Sequence, residues 1–183
     1  MALSSTIYKA ELDISDMDRH YYANHVLTLA MHPSENETRL MLRLLAFALH
    51  ADEALTFTRG LSAEDEPDLW QKDLTGDIEL WIEVGQPDER RLRKACGRAR
   101  QVIVYNYSAR AAAIWWDKSV KDFAKLDNLS VFVVDDASVA ALESLAARTM
   151  RLSFTIQDGE VWVSDGEVNV PILYQNLQAA RRG

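Results

Sequence analysis

Hydrophobic and polar positions alternate from Thr6 to Ile14 and again from Tyr21 to Leu29, with the turn-forming run Ser15-Asp16-Met17-Asp18 between them. A period of two puts every second side chain on one face of a strand, so the pattern predicts an antiparallel hairpin. The period then changes. Leu40, Met41, Leu44, Leu45, Ala48 and Leu49 recur at helical spacing, and Ser34 with Glu37 three residues on, after Pro33, predicts a capping box at the start of that helix. Leu55 to Leu61 is a β-prone run that includes Gly60. In Asp77 to Val84, Ile78, Leu80, Ile82 and Val84 alternate with Asp77, Glu79, Trp81 and Glu83, which predicts a strand carrying those last four side chains on its opposite face.

Pro87 fits the first turn of the next helix, Asp88 and Glu89 complement the positive end of its dipole, and Leu92, Ala95, Cys96 and Ala99 form its apolar stripe. A strand from Gln101 to Tyr107, a helix carrying Trp115-Trp116, a strand from Leu129 to Val134 and an alanine-rich helix from Ser138 to Arg148 continue the alternation. Strands separated by helices call for parallel pairing with helical crossovers. Leu152 to Ile156 and Val161 to Ser164 flank Gln157-Asp158-Gly159, whose Asp-Gly step predicts a second hairpin. With the first hairpin it is expected to build a second, mainly antiparallel sheet, and the tail from Gln175 to Gly183 is expected to fray. With no repeat, low-complexity tract or flexible linker, the expectation is one α/β domain over residues 1–183: a mixed central sheet with flanking helices.

Composition narrows the setting. A chain of 183 residues that is 48% hydrophobic has material for one core. No segment approaches the roughly 18 apolar residues of a membrane helix, and the N-terminal run lacks a basic patch followed by an apolar stretch. The single cysteine, Cys96, excludes an internal disulfide and a cysteine-rich zinc site. These readings point to the cytoplasm and away from a membrane. The net charge is −8, and the stretch from Leu61 to Asp88 carries nine acids against Lys72 alone, a local balance of −8 that equals the whole imbalance. Such a segment is either a solvated face or a site for a hard divalent cation.

Among chemical motifs, the phosphate-cradling glycine loops are missing, as is the nucleophile elbow G-x-S-x-G. The four histidines show no metal-ligand spacing. Cys96 falls on an apolar stripe and reads as a small buried hydrophobe. What remains is an order of elements: a helix beginning with Glu35, a strand, the acidic run Asp65-Glu66-Pro67-Asp68, a strand ending near Glu83, and a helix carrying Arg90, Arg91, Lys94 and Arg98. Carboxylates converging from separate elements are what a Mg2+ site for phosphodiester cleavage requires. Arg90, Lys94 and Arg98, at i, i+4 and i+8, form either a phosphate-binding row or a solvated basic face. Trp115 and Trp116 offer either a base-stacking platform or core packing, with at most one of them facing inward.

His32-Pro33-Ser34-Glu35, Phe57-Thr58-Arg59-Gly60-Leu61, Asp65-Glu66-Pro67, the block Trp81 to Arg91, Ile114-Trp115-Trp116 and Thr155-Ile156-Gln157-Asp158-Gly159 resemble the YaeQ family over nearly the whole chain. The resemblance implies a variation on the PD-(D/E)XK nuclease fold: a restriction-endonuclease-like core that the N- and C-terminal hairpins extend into a sandwich-like second sheet. It implies metal ligands at Glu35, Asp68 and Glu83. The lysine expected two residues after Glu83 is replaced by Gly85, so Lys94 on the following helix would supply the catalytic cation. Two functions stay open, the first from the resemblance and the second from Gly85 in the lysine position and the net negative charge. One is a Mg2+-dependent nuclease-like phosphodiester hydrolase. The other is a catalytically inactive binding or regulatory module acting on nucleic acid or on a protein of the transcription or translation machinery.

Overall fold

The computed structural model describes residues 4–181. The first three positions of the N-terminal run and the last two of the tail, 182–183, lie outside the described residues. The fold is mixed α/β with two mixed sheets and, among the described residues, four α-helices. The chain forms two compact units that alternate along the sequence. Among the described residues, the first takes 4–51 and 137–173, the second 52–136 and 174–181.

In the first unit, β1 (Thr6–Asp16) and β2 (Tyr21–Met31) form the expected N-terminal hairpin in unbroken antiparallel register. The C-terminal hairpin is β8 (Thr149–Gln157) and β9 (Glu160–Ser164), with β10 (Asn169–Ile172) beside it. Its turn is the expected Asp-Gly step: Asp158 and Gly159 both have positive φ, +53° and +76°, as a type I′ turn requires. The two hairpins join through parallel pairing of β1 with β8 and give the order β10-β9-β8-β1-β2. Their turns are also tied, because the backbone N–H groups of Asp158 and Gly159 donate to the Asp18 carboxylate at 2.7 and 2.9 Å.

Helix α1 (Glu37–Leu49) packs against β1 and β2. It does not begin with the Ser34–Glu37 capping box. Asn36 is the N-cap and accepts from Arg39 N–H at 3.0 Å, while Ser34 is drawn into a turn with the His32 ring at 2.6 Å. Glu35 therefore precedes the helix instead of opening it. Leu40 to Ala48 are buried without a break, far more than one amphipathic stripe, which is the pattern of a helix covered on all sides. The last helix, α4 (Asp136–Ser144), starts and stops earlier than Ser138–Arg148; the buried Ser138 accepts Leu173 N–H through its hydroxyl at 2.8 Å.

His50 closes α1, its N–H bonded to Phe47 C=O at 3.2 Å. Burial, with the Arg19 charge nearby, pushes its imidazole down to about 4. A base whose folded value lies below its ordinary 6.5 contributes fully above that pH and loses its contribution as pH falls through 6.5 towards 4. The loss amounts to about 3 kcal/mol by the free energy of a pKa unit. His50→Gln, which cannot titrate there, is expected to flatten this part of the stability–pH curve. Urea unfolding between pH 7 and 4 measures it, and parallel curves for the two proteins would exclude the effect.

In the second unit the sheet order is β11-β7-β6-β5-β4-β3. Strands β5 (Ile78–Val84), β6 (Ala99–Asn106) and β7 (Leu129–Val134) are parallel, linked by α2 (Glu89–Arg98) and α3 (Ala109–Phe123). Strands β3 (Leu55–Phe57), β4 (Leu69–Lys72) and β11 (Tyr174–Gln178) pair antiparallel at its margins. Three expectations change here. The run Leu55–Leu61 is cut to three residues, because the chain turns at Gly60 (φ +51°) into a 3₁₀ turn, Gly60–Ser62. The acidic segment contains β4. The tail begins in β11, which is held on β7, with the Gln178 amide donating to Phe123 C=O at 2.8 Å.

The core of this unit gathers Trp81, Val102, Val104, Leu129 and Val131 from the sheet with Leu92 and Ala95 from α2 and Phe123 from α3. Trp115 and Trp116 both lie partly buried against it, each in ring contact with Phe123, and Trp115 Nε1 donates to Pro87 C=O at 2.6 Å. The expectation that at most one faces inward is corrected: each ring is large enough to reach Phe123 from its own side. Cys96 packs at the same margin, where burial pushes its thiol up to about 12. No helix among the described residues is long and apolar enough to cross a membrane.

Candidate functional site

Asp68 and Glu83 meet in the second unit because β4 and β5 are paired. Leu69 is registered with Ile82, and Asp68 N–H donates to Ile82 C=O at 3.0 Å, so Asp68 stands across from Glu83. Both are almost fully buried, at 4% and 5% exposure. Their carboxylates sense each other. Burial first, and then the repulsion of Asp68, push the Glu83 carboxyl above the usual carboxylate range, against the pull of Arg91 and a hydrogen bond from Trp81.

Each acid has its own fixtures. Asp68 Oδ2 accepts Val84 N–H at 2.8 Å. Gly60 lies against the other oxygen, where a Cβ would make an ordinary contact 3.4 Å from Asp68 Oδ1, and it is the positive φ of the turn, +51°, that suits glycine. Glu83 Oε1 accepts Trp81 Nε1–H at 3.0 Å, and both of its oxygens lie within reach of Arg91 Nε, at 2.7 and 2.9 Å. The same guanidinium donates to the carbonyls of Glu64 at 2.5 Å and Glu66 at 2.7 Å. Arg98 continues the grip, donating to Asp65 C=O at 2.7 Å and lying over the Trp81 ring. The basic helix thus binds the acidic segment by its backbone, while the Glu64 and Asp65 residues stay exposed.

Arg91, absent from the predicted site residues, is the hub of this arrangement. Its signal is its place three residues after the N-cap Asp88, whose carboxylate accepts Arg91 N–H at 2.7 Å, and beside the buried Ala95. The predicted row behaves differently. Eight helical residues rotate by about 80° past two full turns, so Arg90 and Arg98 do not share one line. Arg91, Lys94 and Arg98, with Trp81 and Ala95 beneath and Glu64 and Asp65 at the margin, line a cavity of about 30 Å3, room for a water or a small ion. Arg90 is exposed and does not line it.

The four-residue face expected on the Glu83 strand does not form. A register shift between Gln71 and Lys72 interrupts the β4–β5 ladder, and Glu79 turns to Gln71 and Arg100 while Asp77 closes a turn with Asp73. Glu35 belongs to the first unit. Its Oε2 accepts from Arg39 at 2.9 Å and its Oε1 from Arg43 at 2.5 Å, in surroundings that leave its side chain 3% exposed. Among the described residues, no group of three or more His, Cys, Asp and Glu side chains is arranged to hold a metal ion.

Gly85 follows the last residue of β5 with φ +111°, and its N–H donates to Tyr105 C=O at 2.9 Å. A lysine at this position would meet backbone strain, so its side chain is lost together with the strand geometry that would aim it. Asn106 emerges on the same sheet face as Glu83, because Glu83 is registered with Val104 and Asn106 lies two residues further along β6. It is fully buried, and neither polar atom of its amide has a hydrogen-bond partner among the described residues. Orphaned amides of this kind are uncommon in folded cores.

The family profile described as "YaeQ protein" matches residues 1–173. The chain is 52% identical to the "Uncharacterized protein YaeQ" of Salmonella typhi over 172 residues, covering 94% of this chain and 95% of that one. The protein of the same description from Escherichia coli (strain K12) is 49% identical over the same length, with the same coverage. The crystal structure of the YaeQ protein from Xanthomonas axonopodis pv. citri superimposes with a TM-score of 0.92 at 52% identity, covering 96% of this chain and 99% of that one. The YaeQ protein from Pseudomonas syringae gives 0.92 at 36% identity, covering 97% and 98%.

Proposed function

The chain belongs to the YaeQ family, and from that premise we propose that its second unit carries a nuclease-like phosphodiester hydrolase centre of PD-(D/E)XK ancestry, with Asp68 and Glu83 as the ligands of a Mg2+ ion. The observation that carries the reading is the buried, mutually repelling pair of carboxylates on adjacent strands, with Glu83 raised by burial and by Asp68. A divalent cation relieves that repulsion. Two carboxylates fit its needs, because Mg2+ is commonly held by one or two protein carboxylates and takes its other oxygens from water and phosphate. The orphaned Asn106 amide on the same face adds a neutral acceptor nearby.

When bound, the ion supplies a polarised phosphate and a water of lowered pKa. The chain's residues do the rest. Asp68 is oriented by Val84 N–H and Glu83 by Trp81. Lys94 and Arg98 line a cavity together with Arg91 and Trp81, the two residues that hold Glu83, and in this reading they offset charge that develops on a phosphate, with Lys94 in the part that Gly85 cannot fill. Glu35 holds Arg39 and Arg43 and takes no part in this donor set. The substrate class is nucleic acid, met at low net affinity because the chain is acidic.

The second reading, an inactive binding module for nucleic acid or a transcription or translation protein, draws on one observation. Arg91 already occupies both oxygens of Glu83, and a permanent cation does the electrostatic work of a metal. Incubation of the protein with mixed DNA and RNA in Mg2+ or Mn2+ separates them. Hydrolysis by the wild type that falls at least about 100-fold in Glu83→Ala supports the hydrolase. No hydrolysis, or hydrolysis unchanged in Glu83→Ala, leaves the module.

A further inference from the structure

Among the described residues, the four sheet edges are not alike. Edge strands present unpaired backbone groups, and native proteins blunt them by shortness, proline, bulges or charge. Strand β3 has three residues, β10 contains Pro171, and β11 is broken by a register shift at Asn176 and Gln178. Strand β2 has none of these devices. It runs for eleven residues, pairs with β1 without a break, and contains no Pro, Asp, Glu, Lys or Arg.

The pairing fixes which of its backbone groups are free. Lys9 N–H donates to Arg148 C=O on the β8 side, so the odd residues of β1 turn to β8 and the even ones bond to β2. The partners of those even residues are Tyr21, Ala23, His25, Leu27, Leu29 and Met31. Tyr22, Asn24, Val26, Thr28 and Ala30 therefore direct their N–H and C=O groups outward. Ala30 C=O is closed by Arg43 at 3.0 Å. The other four have no backbone hydrogen-bond partner among the described residues, and Val26 and Tyr22 are 78% and 61% exposed.

We infer that this edge pairs antiparallel with the β2 edge of a second copy of the chain, across a twofold axis that passes between the two His25 residues. That register pairs both backbone groups of these four residues at once: Tyr22 faces Thr28 of the second copy and Asn24 faces its Val26, and the same contacts repeat by symmetry. An isologous contact needs a surface complementary to itself, and the outward ladder meets this condition about a single centre. The charge agrees with it. The chain as a whole carries −8, and β2 itself brings no formally charged side chain to the contact, while the acids beside it, Glu11 and Asp13, accept hydrogen bonds from Asn24 and Glu11 also pairs with Arg151. The side chains that meet on the exposed face pair an aromatic with a β-branched residue at each end, a favourable cross-strand combination. The inference does not rest on the hydrolase reading.

Sedimentation of the full chain tests it. The wild type is expected to be a dimer and Val26→Lys a monomer with an unchanged circular-dichroism spectrum, since the Val26 side chain is exposed and its backbone bonds point away from β1. Opposed His25 residues form a non-hydrogen-bonded pair, with Cα atoms about 4.5 Å apart, within disulfide reach. In a Cys96→Ala background, His25→Cys is expected to cross-link between copies on oxidation and Leu27→Cys is not. A monomeric wild type overturns the inference, as does a dimer that Val26→Lys leaves intact. Cross-linking through Leu27→Cys and not His25→Cys overturns the register.

Discussion

Glu35→Ala is expected to lower the unfolding free energy by about 4 kcal/mol, with no dependence on Mg2+ in the buffer. The carboxylate bridges Arg39 and Arg43, and the Glu35 and Arg43 side chains are almost wholly buried. Breaking a buried pair from one side costs more than the pair contributes, because the remaining charge keeps its desolvation penalty. Arg43 keeps only part of its satisfaction, through Ala30 C=O at 3.0 Å. Two elements loosen together: the start of α1, which Arg39 steadies, and the end of β2, where Arg43 closes the edge. Urea unfolding with and without Mg2+ measures the effect. A loss below about 1 kcal/mol, the range of an exposed pair, would mean that the triad does not hold this unit together, and a loss that Mg2+ restores would return Glu35 to the metal set.

Arg91→Ala is expected to cost about 2 kcal/mol at pH 7, a figure reduced from that of a fully buried pair because the Arg91 side chain is 31% exposed. The cost should depend on pH in a definite direction. The Glu83 carboxyl is raised from its ordinary 4.5 by burial and by Asp68, and Arg91 is the largest influence holding it down. A carboxyl raised on folding contributes fully below its ordinary value and loses that contribution as pH rises through the folded value. Removing Arg91 moves the folded value further up, so the deficit of the variant is widest at neutral pH and narrows towards pH 5. The variant also releases the carbonyls of Glu64 and Glu66, and protease cleavage between residues 59 and 66 should speed up. A deficit that is constant from pH 5 to pH 8 would contradict this coupling.

What could be seen in the sequence depended on whether the signal was local. The two hairpins were visible because alternation and an Asp-Gly turn act over a few residues, and Asp158 and Gly159 take up the φ values that such a turn demands. Their union into one sheet through β1 and β8 joins residues about 140 positions apart, and only the lack of any other partner for two half-polar hairpins hinted at it. The start of α1 is ambiguous in sequence because Asn36 and Ser34 compete for the same cap, and the choice is decided by where His32 stands. β4 was hidden among acids, since Leu69-Trp70-Gln71-Lys72 is too short to show a period. The tail was missed for the opposite reason: β11 is mostly polar and is held by β7 and by the Gln178 amide, not by an apolar face.

The candidate site divides in the same way. Glu83 and Asp68 come together through one ladder contact between neighbouring strands, and the family resemblance pointed to both. Most of the other acids of the dense stretch have local duties. Asp73 closes its own turn by accepting Thr75 and Asp77 N–H, Glu66 pairs with Arg59, and Asp88 caps α2. Their concentration is a property of loops and caps as much as of a metal site. Arg91 escaped notice because spacing along a helix shows which residues share a face, while the partner of that face lies in a loop 25 residues upstream. Asn106 offered only a polar residue at the end of an apolar strand, and its missing partners are visible only in three dimensions.

The central claim is that Asp68 and Glu83 share a divalent cation, and calorimetric titration with Mn2+ at pH 7.5 measures it most directly. The account predicts one site in the wild type, lost in Asp68→Asn and in Glu83→Gln, and tightened in Arg91→Ala because the competing guanidinium is gone. Heat that is unchanged by Glu83→Gln, or no binding even in Arg91→Ala, would contradict it.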